Sequence, residues 1–291
     1  MQNATPAAIA VLAMELLPAA IFAFAGERVA RACARWPSII RITVPLVCVL
    51  PYILISYSHQ MFSWKWCALY ALLPVAIAWL LQQAAVADPE QRGNWRDAII
   101  LLTLGVAVDL RWFEGAWPAG LVGWGKLLLV DAGLYGFAAI RHLSGTGFDF
   151  HLRWSDWKTG LRELAFFAPL VLGLGFALGF LHPHAYPPRL SMLLKWIYIL
   201  IFIAVPEELF FRAWVQNLLE RRVGRQAALG ITAVLFGLSH FNKRSAHFNW
   251  RYVILASIAG IFYGRAWRER RRLPASAITH ASVDAIWSFW F

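Results

Sequence analysis

Long apolar runs joined by short, basic connections are the feature that most restricts this chain. The runs are Ile9–Ala25, Ile39–Ser58, Trp66–Leu81, Ala98–Leu110, Leu121–Ile140, Leu161–Leu181, Ser191 to about Leu219, Ala227–His240, Tyr252–Trp267 and Ala275–Phe291. In hydrocarbon each backbone N–H and C=O must be satisfied inside its own segment, so runs like these read as helices. A bilayer takes about 20 residues of helix per crossing. Some runs are shorter than that, and the pattern predicts roughly eight to ten spans. Composition agrees: 60% of residues are hydrophobic and 15% charged, against roughly 25% charged in soluble domains. The expected fold is an all-α, polytopic transmembrane helix bundle.

The formal net charge of +11 does not require nucleic acid as a partner, because membrane proteins gather Lys and Arg in cytoplasmic loops. If alternate loops share a side, Arg28, Arg31, Arg35, Arg41, Arg92, Arg96, Arg141, Arg153, Lys158, Arg162, Arg221, Arg222, Arg225, Arg265, Arg268, Arg270, Arg271 and Arg272 lie on one face. Lys65, Arg111, Arg189, Lys195, Lys243, Arg244 and Arg251 lie on the other. The bias places the first set in the cytoplasm and, with ten spans, the N-terminus outside. Ala23-Phe24-Ala25 resembles a signal-peptide cleavage site. No basic residue precedes that run and more spans follow, so it reads as a first membrane helix. Cys33, Cys48 and Cys67 are scattered and support neither a disulfide framework nor a zinc site. The expectation is an integral membrane protein, in the bacterial inner membrane, with the lipid bilayer as its surroundings.

Arg141 to Gly160 is the longest polar stretch. It separates an N-terminal transmembrane module, residues 1–150, whose role is not readable, from a core at 160–291. No internal repeat is visible, which disfavours a transporter of the inverted-repeat kind. Lys126 and Asp131, five apart inside the fifth run, read as an inter-helix contact or a misplaced helix boundary. Glu15 and Asp109 are expected near the membrane interfaces. His182, His184 and His247 fall in loops, where solvated histidine is the default.

Within the core, Ala204-Val205-Pro206-Glu207-Glu208-Leu209-Phe210-Phe211-Arg212 puts two carboxylates and an arginine in an apolar run. Intramembrane charge of this kind points to function. Glu208 and Arg212 are four apart and can pair along one helix face. Glu207 points about 100° away from Glu208, so the two carboxylates should do different work. Pro206 frees the carbonyl of Phe202 and can open space beside Glu207. Two later helices carry Phe236-x-x-x-His240 and His280-x-x-x-Asp284. Counted from the basic clusters at about 1.5 Å per residue, Glu207 and His240 are both about 21 Å deep, His280 about 12 Å and Asp284 about 18 Å. That common depth band predicts one cavity lined by Glu207, His240, His280 and Asp284.

A desolvated carboxylate can activate water as a general base. One histidine can hold that water, and another can stabilise an oxyanion as water adds to a carbonyl. The set suits hydrolysis of an amide bond. Glu-Glu-x-x-x-Arg, Phe-x-x-x-His and His-x-x-x-Asp, in this order on successive late helices, resemble the CPBP family. This is the CAAX-protease and bacteriocin-processing group of intramembrane endopeptidases, also called Abi. The resemblance covers about residues 160–291. It implies that Glu207 is the water-activating base, that His240 positions the water, and that His280 and Asp284 form the oxyanion site. Glu208 and Arg212 stay as a structural ion pair. Two positions depart from the family pattern: Ala213 stands where Gly often follows the motif arginine, and Asp284 stands where Asn is commoner. An ionised Asp284 would repel an oxyanion, so it must be protonated, orient His280, or serve otherwise.

The expected activity is cleavage of a membrane-anchored protein or peptide by glutamate-activated water, without a cofactor. A zinc-dependent form of the same protease, with Glu207, His240 and His280 as ligands and a water in the fourth place, is the first alternative. A noncatalytic membrane scaffold or immunity protein is the second. Family activities include CAAX prenyl-protein cleavage, bacteriocin maturation, peptide immunity and processing of C-terminal sorting signals, and nothing in the sequence selects among them.

Overall fold

The computed structural model describes residues 5–184, 189–243 and 247–291. Residues 185–188 of the proline loop expected at 182–188, and Arg244 of the outer-face set, lie outside these. All regular elements among the described residues are helical, with no strand. Five stretches are long and apolar enough to cross a membrane: Pro6–Ala34, Ser38–Ser58, Trp64–Ala87, Trp154–Ala177 and Leu190–Val223. Arg225–Leu238 is apolar but shorter. The helices formed by the other runs are shorter or less apolar. The chain divides into two compact units, Met1–Ser144 and Gly145–Phe291.

The first unit begins with α1 (Pro6–Ala34). Thr5 caps it, its hydroxyl accepting from the Ala8 amide at 3.2 Å, and Pro6 occupies the first turn, where its missing N–H costs nothing. The helix runs through the cleavage-like Ala23-Phe24-Ala25 with one break, at Ala25. Next come α2 (Ser38–Thr43), a 3-10 segment (Val44–Cys48) and α3 (Val49–Ser58). Pro45 opens the tighter segment, as expected where a proline withholds an i−4 hydrogen bond. α4 (Trp64–Ala87), α5 (Trp95–Asp109) and α6 (Gly125–Tyr135) complete the unit, with a π-helical turn at Gly136–Ile140. Asn94 and Asp97 form a reciprocal capping box at the start of α5. The buried Arg141 ties its Nε to Asp97 Oδ1 at 3.1 Å and its Nη2 to Asp88 Oδ2 at 2.6 Å. Glu15, expected at an interface, instead sits inside the unit with 1% exposure, because its face of α1 packs against α6.

The second unit holds α7 (Trp154–Ala177), α8 (Arg189–Ile199), α9 (Val205–Glu208), α10 (Asn217–Val223), α11 (Arg225–Leu238), α12 (Trp250–Arg270) and α13 (Leu273–Trp290). α8, α9 and α10 are parts of one continuous helix, joined by π-helical stretches at Leu200–Ala204 and Leu209–Gln216. The wide turns flank Pro206, which cannot donate to Phe202 in a regular helix. Phe167, Phe211, Phe236, Phe262 and Tyr263 pack with Ala256 and Ala259 at the centre. In lipid, apolar burial gains little from leaving water, so close approach holds helices together. α11 and α12 run antiparallel with small residues in register. A Cβ added to Gly260 would fall 2.9 Å from the Ala233 Cα.

Arg272 fixes where α13 begins. Its Nε and Nη2 donate to Asp156 at 2.7 and 2.8 Å, its Nη1 to Asp149 Oδ2 at 2.7 Å, and Nη2 also to the carbonyls of Asp149 and His151. The Leu273 amide donates to the Gly147 carbonyl at 2.9 Å. Gly147 has φ of 70° and lies against the Arg271 carbonyl, where no side chain fits. Burial opposes ionisation of Asp149, but hydrogen bonds from Arg272 and His151 prevail and hold its carboxyl down at about 2.

Candidate active site

The Glu-Glu pair stands in α9, between the two π-helical stretches. Glu208 is fully buried. Its Oε2 accepts from Arg212 Nε at 2.8 Å and from the Ser276 hydroxyl. Its Oε1 meets His280 Nδ1 at 2.8 Å. A carboxylate can only accept, so Nδ1 of His280 carries a proton and the ring is fixed in one orientation. Arg212 is also buried, and its two terminal nitrogens have no hydrogen-bond partner among the described residues. Its guanidinium instead lies 5.3 Å from the Phe236 ring centre and 6.0 Å from that of Tyr263, and ring faces attract cations.

Glu207, one residue earlier, points elsewhere and is 21% exposed. Its Oε2 is 3.9 Å from His280 Nε2, and Asp284 Oδ2 is 3.6 Å from the same nitrogen. One imidazole therefore has a buried carboxylate on its Nδ1 side and two partly open carboxylates on its Nε2 side. The ring is clamped between Tyr263, stacked at 4.5 Å, and Phe236, edge-on at 5.6 Å. Lys243 Nζ is 3.8 Å from Glu207 Oε1.

His240 lies just past the end of α11. Its Nδ1 is 2.8 Å from the Phe236 carbonyl, which only accepts, so Nδ1 carries the proton and the neutral ring leaves Nε2 as an acceptor. This contact explains the Phe-x-x-x-His spacing: the carbonyl four residues back sets the tautomer. Glu207 and Asp284 both lie within electrostatic reach of His240. His240, His280 and Asp284 also line a cleft whose walls are mainly apolar, including Leu164, Phe167, Val171, Phe180 and Trp287.

Glu207, Glu208, Arg212, His280 and Asp284 thus meet around one imidazole, with His240 close by. The sequence reading missed Ser276, Tyr263 and Lys243. Ser276 lies four residues before His280, on the same face of α13, and that spacing was a usable signal. Lys243 follows His240 by three residues. Tyr263 carries no sequence signal, since it reaches the site from α12 by packing alone. Among the described residues no three His, Cys, Asp or Glu side chains are grouped to hold a metal ion.

A family model described as "Type II CAAX prenyl endopeptidase Rce1-like" matches residues 189–286. This segment is an Rce1-like domain of the CPBP family. It spans 98 of the 291 residues and takes in the whole constellation just described. No curated protein and no solved structure matches the chain. The Rce1-like domain and the long apolar helices make this an integral membrane protein with a domain of CAAX-type intramembrane proteases.

Proposed function

We propose that the chain is an intramembrane endopeptidase in which Glu207 activates water to cleave a peptide bond of a membrane-anchored protein or peptide. The observation that carries this reading is the split between the two carboxylates on His280. Glu208 is dry and saturated by Arg212, Ser276 and Nδ1, whereas Glu207 is partly open and faces Nε2.

Water beside Glu207 gives up a proton to the carboxylate, and its oxygen adds to the scissile carbonyl carbon. His240, accepting at Nε2, helps aim that water. The oxyanion forms against Nε2–H of His280, whose ring carries a proton on both nitrogens among the carboxylates of Glu207, Glu208 and Asp284 and is held in place because Nδ1–H is committed to Glu208. Glu207 then passes its proton to the departing nitrogen, the C–N bond breaks, and a carboxylic acid and an amine leave. The apolar cleft lined in part by His240, His280 and Asp284 would take an apolar segment of the substrate.

Separate Glu207→Gln and Glu208→Gln variants test this on the native substrate. Glu207→Gln should abolish processing while protein yield and thermal stability stay normal. Glu208→Gln should lower yield. Wild-type processing by Glu207→Gln would end the glutamate-base reading. Asp284→Asn supplies the amide commoner in this family, which can donate to an oxyanion where a carboxylate repels it. Its kcat should equal or exceed that of the wild type.

A further inference from the structure

The unit formed by residues 1–144 contains two buried acids that the proposed chemistry does not use. Glu15, on α1, is 1% exposed, and neither carboxyl oxygen has a hydrogen-bond partner among the described residues. Asp131, on α6, is 4% exposed. α1 packs against α6, and Asp131 is near enough for its charge to act on Glu15. Five other acids of the unit, Glu27, Glu90, Glu114, Asp88 and Asp97, each pair with an arginine, but among the described residues no ion pair reaches Glu15 or Asp131. Lys126 shares α6 with Asp131 but is five residues away, about 140° around the helix.

Cys48 lies near Asp131 and Tyr70 near Glu15, and among the described residues no ion pair joins Arg41 to either acid. The Tyr70 hydroxyl accepts from Trp117 Nε1 at 2.7 Å. Tyr52 is bonded to the backbone of Ser63 and Tyr135 to the Arg41 carbonyl. Tyrosine and cysteine side chains ordinarily carry no charge at neutral pH, so none of these supplies a counter-charge. An ionised carboxylate in such a place costs several kcal/mol or more, and a second one beside it adds repulsion.

We infer that Glu15 and Asp131 form a proton-binding site inside the 1–144 unit, with exchangeable protons serving as the counter-charge that no basic side chain provides. This gives the N-terminal unit a chemistry of its own, independent of the protease reading. A bound proton removes the charge without needing the ring of oxygen ligands that a metal cation requires.

Infrared spectroscopy of the full chain in detergent at neutral pH reads the carbonyl stretch of protonated carboxyls directly. The band should be present in the wild type, weaken in Glu15→Gln and in Asp131→Asn, and be lost in the double variant. Both substitutions keep shape and neutrality, so melting temperatures should stay at the wild-type value. A band unchanged in the double variant would overturn the proposal. A wild-type band that sodium chloride removes would overturn it as well, by marking a metal-cation site. Should the variants not fold, labelling of the wild type with a lipophilic carbodiimide, which adds to protonated carboxyls, decides the matter. An adduct mapped to Glu15 or Asp131 supports the site, and its absence refutes it.

Discussion

Two neighbouring glutamates in one helix turn meet different surroundings, and the difference sets what each can do. Glu208 gathers Arg212, Ser276 and His280 in a dry site, so it serves both as an ion-pair partner and as the residue that orients an imidazole. Removing one member of a buried pair leaves the other charge stranded at a cost of about 3–5 kcal/mol. Arg212→Ala should therefore cut yield and lower the melting temperature in detergent far more than Glu207→Gln does. Ser276→Ala removes one donor to Glu208, a loss of about 1–3 kcal/mol. It should lower both stability and kcat, since His280 takes its orientation from Glu208. The Glu208–Arg212 pairing was legible from the four-residue spacing alone. The third partner, His280, was not, because its contact spans 72 positions.

Among the elements, the long helix from Leu190 to Val223 and the hairpin of α11 and α12 decide where the site groups point. π-helical stretches stand on both sides of Pro206, Glu207 and Glu208. A π turn shifts the facing of later side chains, so where the far part of this helix points relative to residues 191–199 could not be computed from regular helix geometry. His240 depends on how closely α11 approaches α12. A Cβ on Gly260 would meet backbone of Ala233, which cannot yield as a flexible side-chain end could. Gly260→Val should cost about 1–3 kcal/mol by overpacking and reduce activity without touching Glu207. Gly230→Ala on α11, where nothing lies within 4 Å of the added carbon, is the control and should leave melting temperature and activity near wild type.

At the scale of the whole chain, strong acid should loosen the clamp where Arg272 holds the start of α13. The carboxyl of Asp149 sits at about 2, below its ordinary 3.8. A depressed carboxyl stabilises the fold fully above its ordinary range, and that contribution fades as pH falls from about 4 toward 2. Melting temperature in detergent should drop across this window in the wild type. Arg272→Gln should be less stable at neutral pH and show a shallower drop between those pH values. The sequence by itself determined the helical membrane class, through apolar runs too long and too uncharged for water. It also determined the Rce1-like segment, through three motifs whose spacings of four keep each pair on one helix face. The depth count put Glu207, His240, His280 and Asp284 in one band because each lies a similar number of helical residues from a basic cluster. Only the tertiary structure decided which carboxylate faces which nitrogen of His280, and that Tyr263, Ser276 and Lys243 join the group. It alone placed Glu15 beside Asp131 as well. Those facts depend on the rotation of each helix about its axis, which close packing of glycine, alanine and aromatic side chains sets and local spacing does not.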